Sequence, residues 1–315
     1  MKGRFAPSPS GRMHMGNVYT ALLSRLSARR QGGTWLLRIE DLDPQRSKYE
    51  HARMIEDDLH WLGLDWDEGG LDDKGDAGPY SQSRRGDIYE HFLERLVATG
   101  RTYPCHCTRA EIMATQAPHQ SDGRIIYAGT CRPPHGVEAS SLQSSDVSGG
   151  VISESVGSSV NCGGRDASTP ASIRLWVPDR DIEFDDAVKG HCSFNLAREV
   201  GDFILRRADG AWAYQLAVVV DDALMGVTEV LRGDDLLLSA AQQLYLYSLF
   251  GFKAPRFVHV PLVCNAEGRR LSKRDASLSM DYLRQRHTPA EVLGMAAYRA
   301  GIINEEMPVR FEELT

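Results

Sequence analysis

The first sixty or so residues limit what this chain can fold into more than any other stretch. Lys2 to Pro7 reads as a short strand feeding a turn, Ser8-Pro9-Ser10-Gly11, ahead of His14-Met15-Gly16-Asn17. From Gly16 to about Arg30 the apolar residues Val18, Leu22, Leu23 and Leu26 recur at helical spacing, and Gly32-Gly33 stops them. Thr34 to Ile39 is a second strand, and Tyr49 to Leu62 is a second helix that Gly63 ends. Strand, helix, strand, helix is the rhythm of a parallel sheet covered by helices on both faces. Glycines near a strand–helix junction let the backbone approach a phosphate, and the helix start aims free N–H groups at the anion.

A second cationic stretch stands late in the chain, Gly268-Arg269-Arg270-Leu271-Ser272-Lys273-Arg274. A loop of this composition can close on a triphosphate and neutralise charge on departing pyrophosphate. Between the two stretches, about Arg85 to Thr99 reads as a third helix and Arg101 to Arg132 carries cysteines. Pro133 to Pro170 is rich in serine and glycine, a composition that buries too little apolar surface to order itself, and is expected to be a loop or disordered insert. Ile173 to Val177 alternates like a half-buried strand. The sheet is then expected to resume with Asp202 to Arg206 and with Tyr214 to Val220 as a buried central strand. Leu236 to Phe250 reads as a helix, Phe257 to Leu262 as a strand, and Ser279 to Gln285 and Ala290 to Ala300 as closing helices. The expected organisation is a catalytic first half at 1–100, an insert at 101–190, a second half at 191–262, and a cationic loop with helices at 263–315.

At 315 residues, 25% charged and 42% hydrophobic, the chain suits an enzyme of about two domains. No apolar run approaches the ~18 residues of a membrane span, and the start has no signal-peptide core, so a cytoplasmic protein without a membrane partner is expected. A net charge of -7 argues mildly against a nucleic-acid partner, although basic residues cluster at Arg25, Arg29 and Arg30, at Arg269 to Arg274, and at Arg284 and Arg286. Thiols in a reducing compartment stay unpaired, and three of the six cysteines, Cys105, Cys107 and Cys131, fall close together. Thiolates at that spacing point to zinc, with Tyr127, His106, His119 or His135 as the fourth ligand. Cys192 and Cys264 read as packing residues, and Cys162 as a bystander.

The two loop stretches resemble the HIGH and KMSKS signatures of class I aminoacyl-tRNA synthetases. Arg4-Phe5-Ala6-Pro7-Ser8-Pro9, Arg38 to Asp43, Tyr214 to Asp222 and Val230 to Gly233 resemble the glutamate and glutamine branch of that family, so the likeness runs from about Lys2 to Ser279. The resemblance implies an α/β fold, a Rossmann-type doubly wound parallel sheet with an inserted zinc-bearing connective region and a short helical C-terminal segment. It implies ATP and L-glutamate as substrates, Mg2+ with the triphosphate, and one structural Zn2+. His14, Gly16, Ser272 and Lys273 would be catalytic, and His14, Gly16, Asn17 and Lys273 would bind ATP. Arg4, Phe5, Ala6, Pro7, Ser8, Glu40, Tyr214 and Arg232 would bind glutamate, whose two carboxylates need cations and whose ammonium needs an anion. The Tyr-x-x-x-Cys arrangement at Tyr127 and Cys131 resembles a zinc-bearing subgroup, which makes the implied ligands Cys105, Cys107, Tyr127 and Cys131. Arg270 and Arg274 depart from the usual loop pattern, and the Ser272-Lys273 core is kept.

A carboxylate is already a nucleophile at neutral pH, so activation needs positioning and charge stabilisation but no general base. Two members of the branch share these motifs. One is an ordinary glutamyl-tRNA synthetase, and the other is a shortened paralogue that attaches glutamate to the queuosine base in the anticodon loop of tRNA(Asp). Only Arg274 to Thr315 follows Lys273, less than the ~50 residues of a small domain, and Pro9-Ser10-Gly11 also resembles the paralogue. A monomer that forms glutamyl-adenylate without tRNA is therefore expected. A catalytically silent nucleotide-binding paralogue is the reading from another class, and intact His14, Glu40, Arg232 and Lys273 speak against it.

Overall fold

The computed structural model describes residues 1–114, 126–133, 169–263 and 276–315. Ser272, Lys273, Cys264, Cys162, His119, His135 and nearly all of the 133–170 insert lie outside the described residues. In chain order the elements are β1 (Lys2–Phe5), α1 (Met15–Arg30), β2 (Thr34–Leu37), α2 (Tyr49–Trp61), β3 (Glu68–Gly69), α3 (Gly86–Ala98), β4 (Thr102–Cys105) and α4 (Arg109–Ala114). There follow β5 (Ser172–Leu175), β6 (Asp181–Asp186), β7 (Gly190–Asn195), α5 (Leu196–Glu199), β8 (Phe203–Arg206) and α6 (Tyr214–Leu224). The last elements are β9 (Glu229–Gly233), α7 (Leu237–Phe250), β10 (Arg256–Val260), α8 (Met280–Arg286) and α9 (Pro289–Arg299).

The chain divides into two compact units, Met1–Asp87 with Glu183–Ser193 and Gln215–Thr315, and Ile88–Ile182 with Phe194–Tyr214. The first unit holds a five-stranded sheet in the order β10-β9-β1-β2-β3, every pairing parallel. From β1 the chain moves outward through β2 and β3, then returns to the other side through β9 and β10. The order thus reverses at β1, and the crevice beyond the carboxyl ends of strands at such a point is where doubly wound folds take their ligands. Phe5 ends β1 there and Gly233 ends β9.

Helix α1 buries Met15, Val18, Ala21, Leu22 and Leu26 against Trp35 and Leu37 of β2 and Ala52, Ile55 and Leu59 of α2. Val292, Leu293, Ala296 and Ala297 of α9 join that core. Thr288 caps α9 with Glu291 three residues on and Pro289 at the first turn, which is why the helix starts there. The second unit is built on an antiparallel sheet, β4-β5-β8.

Two expectations from the sequence are corrected. Tyr214 to Val220 is not a central strand but the first part of α6, in which Leu216 through Asp222 are all buried. A helix buried all round has no polar face, so its sequence carries no 3.6-residue period to set against a buried strand. Asp202 to Arg206 does form a strand, β8, but in the antiparallel sheet of the second unit. The paired strands β6 and β7 were not foreseen.

Candidate active site and metal centre

His14 caps α1. Its Nδ1 accepts from the Gly16 N–H at 3.0 Å, and its own N–H donates to Asn17 Oδ1 at 3.1 Å, a closed capping box. With Nδ1 accepting, the ring proton of the neutral imidazole belongs on Nε2, so the side chain can present a donor. Asn17 spends its side-chain oxygen on this cap. A Cβ on Gly16 would stand 2.9 Å from His14 Cε1, so glycine is required there for the histidine ring to fold back on its helix. The loop is tied to the far end of the chain: His14 bridges Ser279, and Met280 N–H donates to the Met13 carbonyl at 2.9 Å. Arg12 joins Asp58 of α2 at 2.7 Å and Asp281 of α8 at 2.6 Å, and Arg284 reaches Asp58 at 2.8 Å.

At the end of β1, Arg4 pairs through Nε with Asp222 Oδ1 at 3.1 Å. Fully buried Arg38 joins Asp222 at 2.7 Å and Glu40 at 3.0 Å, and Arg85 joins Asp221 at 2.6 Å. Burial pushes the Asp222 carboxyl up, but the Arg38 and Arg4 guanidiniums outweigh it and hold the group below the usual carboxylate range. For Glu40 burial prevails over the same two guanidiniums, and its carboxyl is raised. Phe5 turns into the core and stacks on Trp35, leaving only its backbone for a ligand. Pro7 offers its carbonyl to Glu40 N–H at 3.0 Å and Ser8 its carbonyl to Ser10 N–H at 2.8 Å, so Ala6, Pro7 and Ser8 form the turn leaving β1.

On β9 Arg232 is buried and donates from Nε to His259 Nε2 at 3.0 Å. The Tyr247 hydroxyl of α7 is buried without a hydrogen-bond partner among the described residues. Burial and the Asp222 carboxylate push its titration up, while Arg4, Arg38 and Arg232 all act on it in the opposite sense. The structure therefore gathers Arg4, Glu40 and Arg232 in one unit with Tyr247, and places Tyr214 at the end of the other. Tyr247 and His259 escaped the sequence reading because each lies in an apolar run that reads as core.

In the second unit the Sγ atoms of Cys105, Cys107 and Cys131 lie within 4.8 Å of one another. Tyr127 Oη stands 3.4 Å from Cys105 Sγ and 3.9 Å from Cys107 Sγ, and Cys107 and Cys131 Sγ are 3.5 Å apart. Ligands about 2.3 Å from a tetrahedral zinc lie roughly 3.8 Å apart, so these four side chains fit that ion. Arg174 covers the Tyr127 ring at 3.7 Å. Gly201, with φ +71°, lets the backbone of Tyr127 approach so closely that a Cβ would stand 2.2 Å from its carbonyl oxygen. Burial pushes Tyr127 up, while hydrogen bonds from Tyr127 and Arg174 outweigh burial at Cys105 and hold that thiol down. Cys105, Cys107 and Cys192 are free thiols, in keeping with the expectation that these cysteines are reduced. A thiolate ligand at Cys131 requires the reduced form.

The family model for class I tRNA synthetases (E and Q), catalytic domain, matches residues 1–311. The chain belongs to that family. It is 46% identical over 99% of its length to a glutamyl-Q tRNA(Asp) synthetase from Symbiobacterium thermophilum, covering 90% of that protein. A glutamyl-Q tRNA(Asp) synthetase from Nitratidesulfovibrio vulgaris is 44% identical over 98% of the chain and 89% of its own length. Among solved structures, a glutamate tRNA ligase from Elizabethkingia meningosepticum in complex with its amino acid superposes with a TM-score of 0.76 at 30% identity. All of this chain is covered in that comparison, and it spans 64% of the ligase. The family membership agrees with the α/β parallel-sheet architecture expected from the sequence, and makes the chain a ligase of the aminoacyl-tRNA synthetase type. No described helix is long and apolar enough to cross a membrane.

Proposed function

We propose that the chain activates L-glutamate with ATP and transfers it to queuosine in the anticodon loop of tRNA(Asp), in the cytoplasm. The observation that carries this reading is the 46% identity to a glutamyl-Q tRNA(Asp) synthetase over 99% of the chain and 90% of that protein, against 37% to a glutamate–tRNA ligase of which the chain covers 54%. In the first step a glutamate carboxylate oxygen attacks the α-phosphorus of ATP and pyrophosphate leaves. His14 would donate from Nε2 to a phosphate oxygen, the N-terminus of α1 would face the same charge, and Lys273 with Ser272 would close on it. Magnesium bound with ATP would supply charge neutralisation at the triphosphate. Arg232 and Arg4 would answer the substrate carboxylates, Glu40 its ammonium, and Ala6 to Ser8 the backbone of the pocket. In the second step a diol hydroxyl of the queuosine ring attacks the acyl carbon, loses its proton, and AMP leaves. Cys105, Cys107, Cys131 and Tyr127 would hold a zinc ion that braces the second unit.

The test offers labelled glutamate with tRNA(Asp) bearing queuosine, tRNA(Asp) with guanine at that position, and glutamate tRNA. Label enters only the first, and glutamate-dependent exchange of pyrophosphate into ATP proceeds with no tRNA present. Charging of glutamate tRNA at its terminal adenosine would make the chain an ordinary glutamyl-tRNA synthetase core instead.

A further inference from the structure

Arg4 and Arg232, the two guanidiniums assigned to substrate carboxylates, are held in different ways. Arg4 touches the Asp222 carboxylate directly at 3.1 Å. Arg232 donates from Nε to the imidazole of His259 at 3.0 Å and from Nη2 to the Leu236 carbonyl at 3.4 Å, over the Phe257 ring. His259 is fully buried, and its Nδ1 stands 2.7 Å from Asp186 Oδ2. Asp186 is held in turn: its Oδ1 accepts from Val188 N–H at 3.0 Å and Lys189 N–H at 2.9 Å, and its Oδ2 accepts from His259 N–H at 3.1 Å.

The carboxylate can only accept, so His259 must carry its proton on Nδ1. Nε2 is then a lone pair aimed at the Arg232 Nε–H. Burial and the Arg232 charge outweigh Asp186 and the Leu236 carbonyl and hold His259 below the ordinary histidine range, which agrees with a neutral ring. A neutral imidazole sets the plane of a guanidinium without neutralising it. A carboxylate in the same place would compete with the substrate's own carboxylate for that charge. Bidentate recognition needs its donors held within about 10–20° of the productive plane, which a long side chain does not achieve unaided.

We propose that Asp186 and His259 form a positioning relay that fixes the tautomer of the imidazole and thereby the orientation of Arg232 for the glutamate carboxylate. The inference rests on the assignment of Arg232 to glutamate. It also gives β6, which lies outside the five-stranded sheet, a part in amino-acid recognition.

Glutamate-dependent pyrophosphate–ATP exchange, measured for the full chain with Asp186→Asn, His259→Phe, His259→Gln and Arg232→Ala, tests it. The Oδ1 position of Asp186 takes the N–H groups of Val188 and Lys189 and also lies 3.3 Å from the His259 N–H, so the amide oxygen of Asp186→Asn keeps that side and its nitrogen faces His259 Nδ1. That drives the ring proton to Nε2, donor against donor with Arg232, at almost no change in volume. KM for glutamate then rises roughly tenfold or more in Asp186→Asn and His259→Phe, while KM for ATP stays within about twofold. His259→Gln, whose amide oxygen can replace Nε2 as acceptor, recovers part of the loss. A large KM effect in Arg232→Ala with none in Asp186→Asn and His259→Phe overturns the relay and leaves the pocket standing. No KM effect in Arg232→Ala overturns the pocket assignment itself. Equal rises in both KM values, or no recovery in His259→Gln, assign the pair to structure alone.

Discussion

Gly16 owes its place to His14. The capping box needs the imidazole to lie over the first turn of α1, and any Cβ at position 16 would press on Cε1 at 2.9 Å. Two stability effects of Gly16→Ala oppose each other: alanine gains about 1 kcal/mol of helix propensity, and a lost N-cap costs about 1 kcal/mol. Unfolding free energy in urea is therefore expected within about 1 kcal/mol of wild type. Exchange activity is expected to fall by about 10²-fold, because the Nε2 donor is swung away from the phosphate. A stable variant with wild-type exchange would remove His14 from the phosphate site.

At the scale of elements, three pieces of chain distant in sequence meet at Asp58. Its carboxylate is fully buried on α2 and takes Arg12, from the loop before α1, and Arg284, from α8. Arg12 also reaches Asp281 on α8, and Arg284 lies over the Trp61 ring at 5.1 Å. The loop before α1 is thereby joined to the helix that follows the cationic segment in sequence. Asp58→Asn leaves two guanidiniums facing each other without the charge between them, and about 3 kcal/mol of destabilisation is expected in urea unfolding. Arg284→Ala removes one of the two cations and keeps the anion paired with Arg12, so a smaller loss is expected. Equal losses in the two variants would mean that packing, not charge, holds α8 in place.

At the scale of the molecule, the two units are stabilised differently. The unit with the parallel sheet rests chiefly on an extended apolar core that gathers α1, β2, α2 and α9. The other gathers Tyr103, Cys105, Tyr127 and Cys131 into a small cluster, and buried Asp202 accepts from Tyr103, Arg132 and the Val177 N–H. So small a cluster gains most from a metal crosslink. Protein purified under reducing conditions without chelator is expected to contain about one zinc per chain. Chelation should lower the unfolding temperature, and Cys131→Ser should abolish both the zinc and the response to chelator. Full zinc content in Cys131→Ser would exclude Cys131 as a ligand.

The sequence alone determined the elements whose residues have two distinct faces or clear punctuation. Helix α1 shows its buried stripe, α9 its Thr-Pro-x-Glu start, β2 its short apolar run, and β1 its place just ahead of the Ser-Pro-Ser-Gly turn. Local chemistry writes these, so they are legible one residue after another. The grouping of Cys105, Cys107 and Cys131 was legible in the same way, by type and spacing, whereas Tyr127 as a fourth ligand came only from the resemblance. Tertiary structure decided the rest. Helix α6 is buried from Leu216 through Asp222 and could be told from a strand only by what surrounds it. The ion pairs joining Arg4 and Arg38 to Asp222, and the relay from Asp186 through His259 to Arg232, connect residues dozens to more than two hundred positions apart. No sequence period carries such partnerships, because they exist only where the parallel sheet lays β1, β9 and β10 side by side.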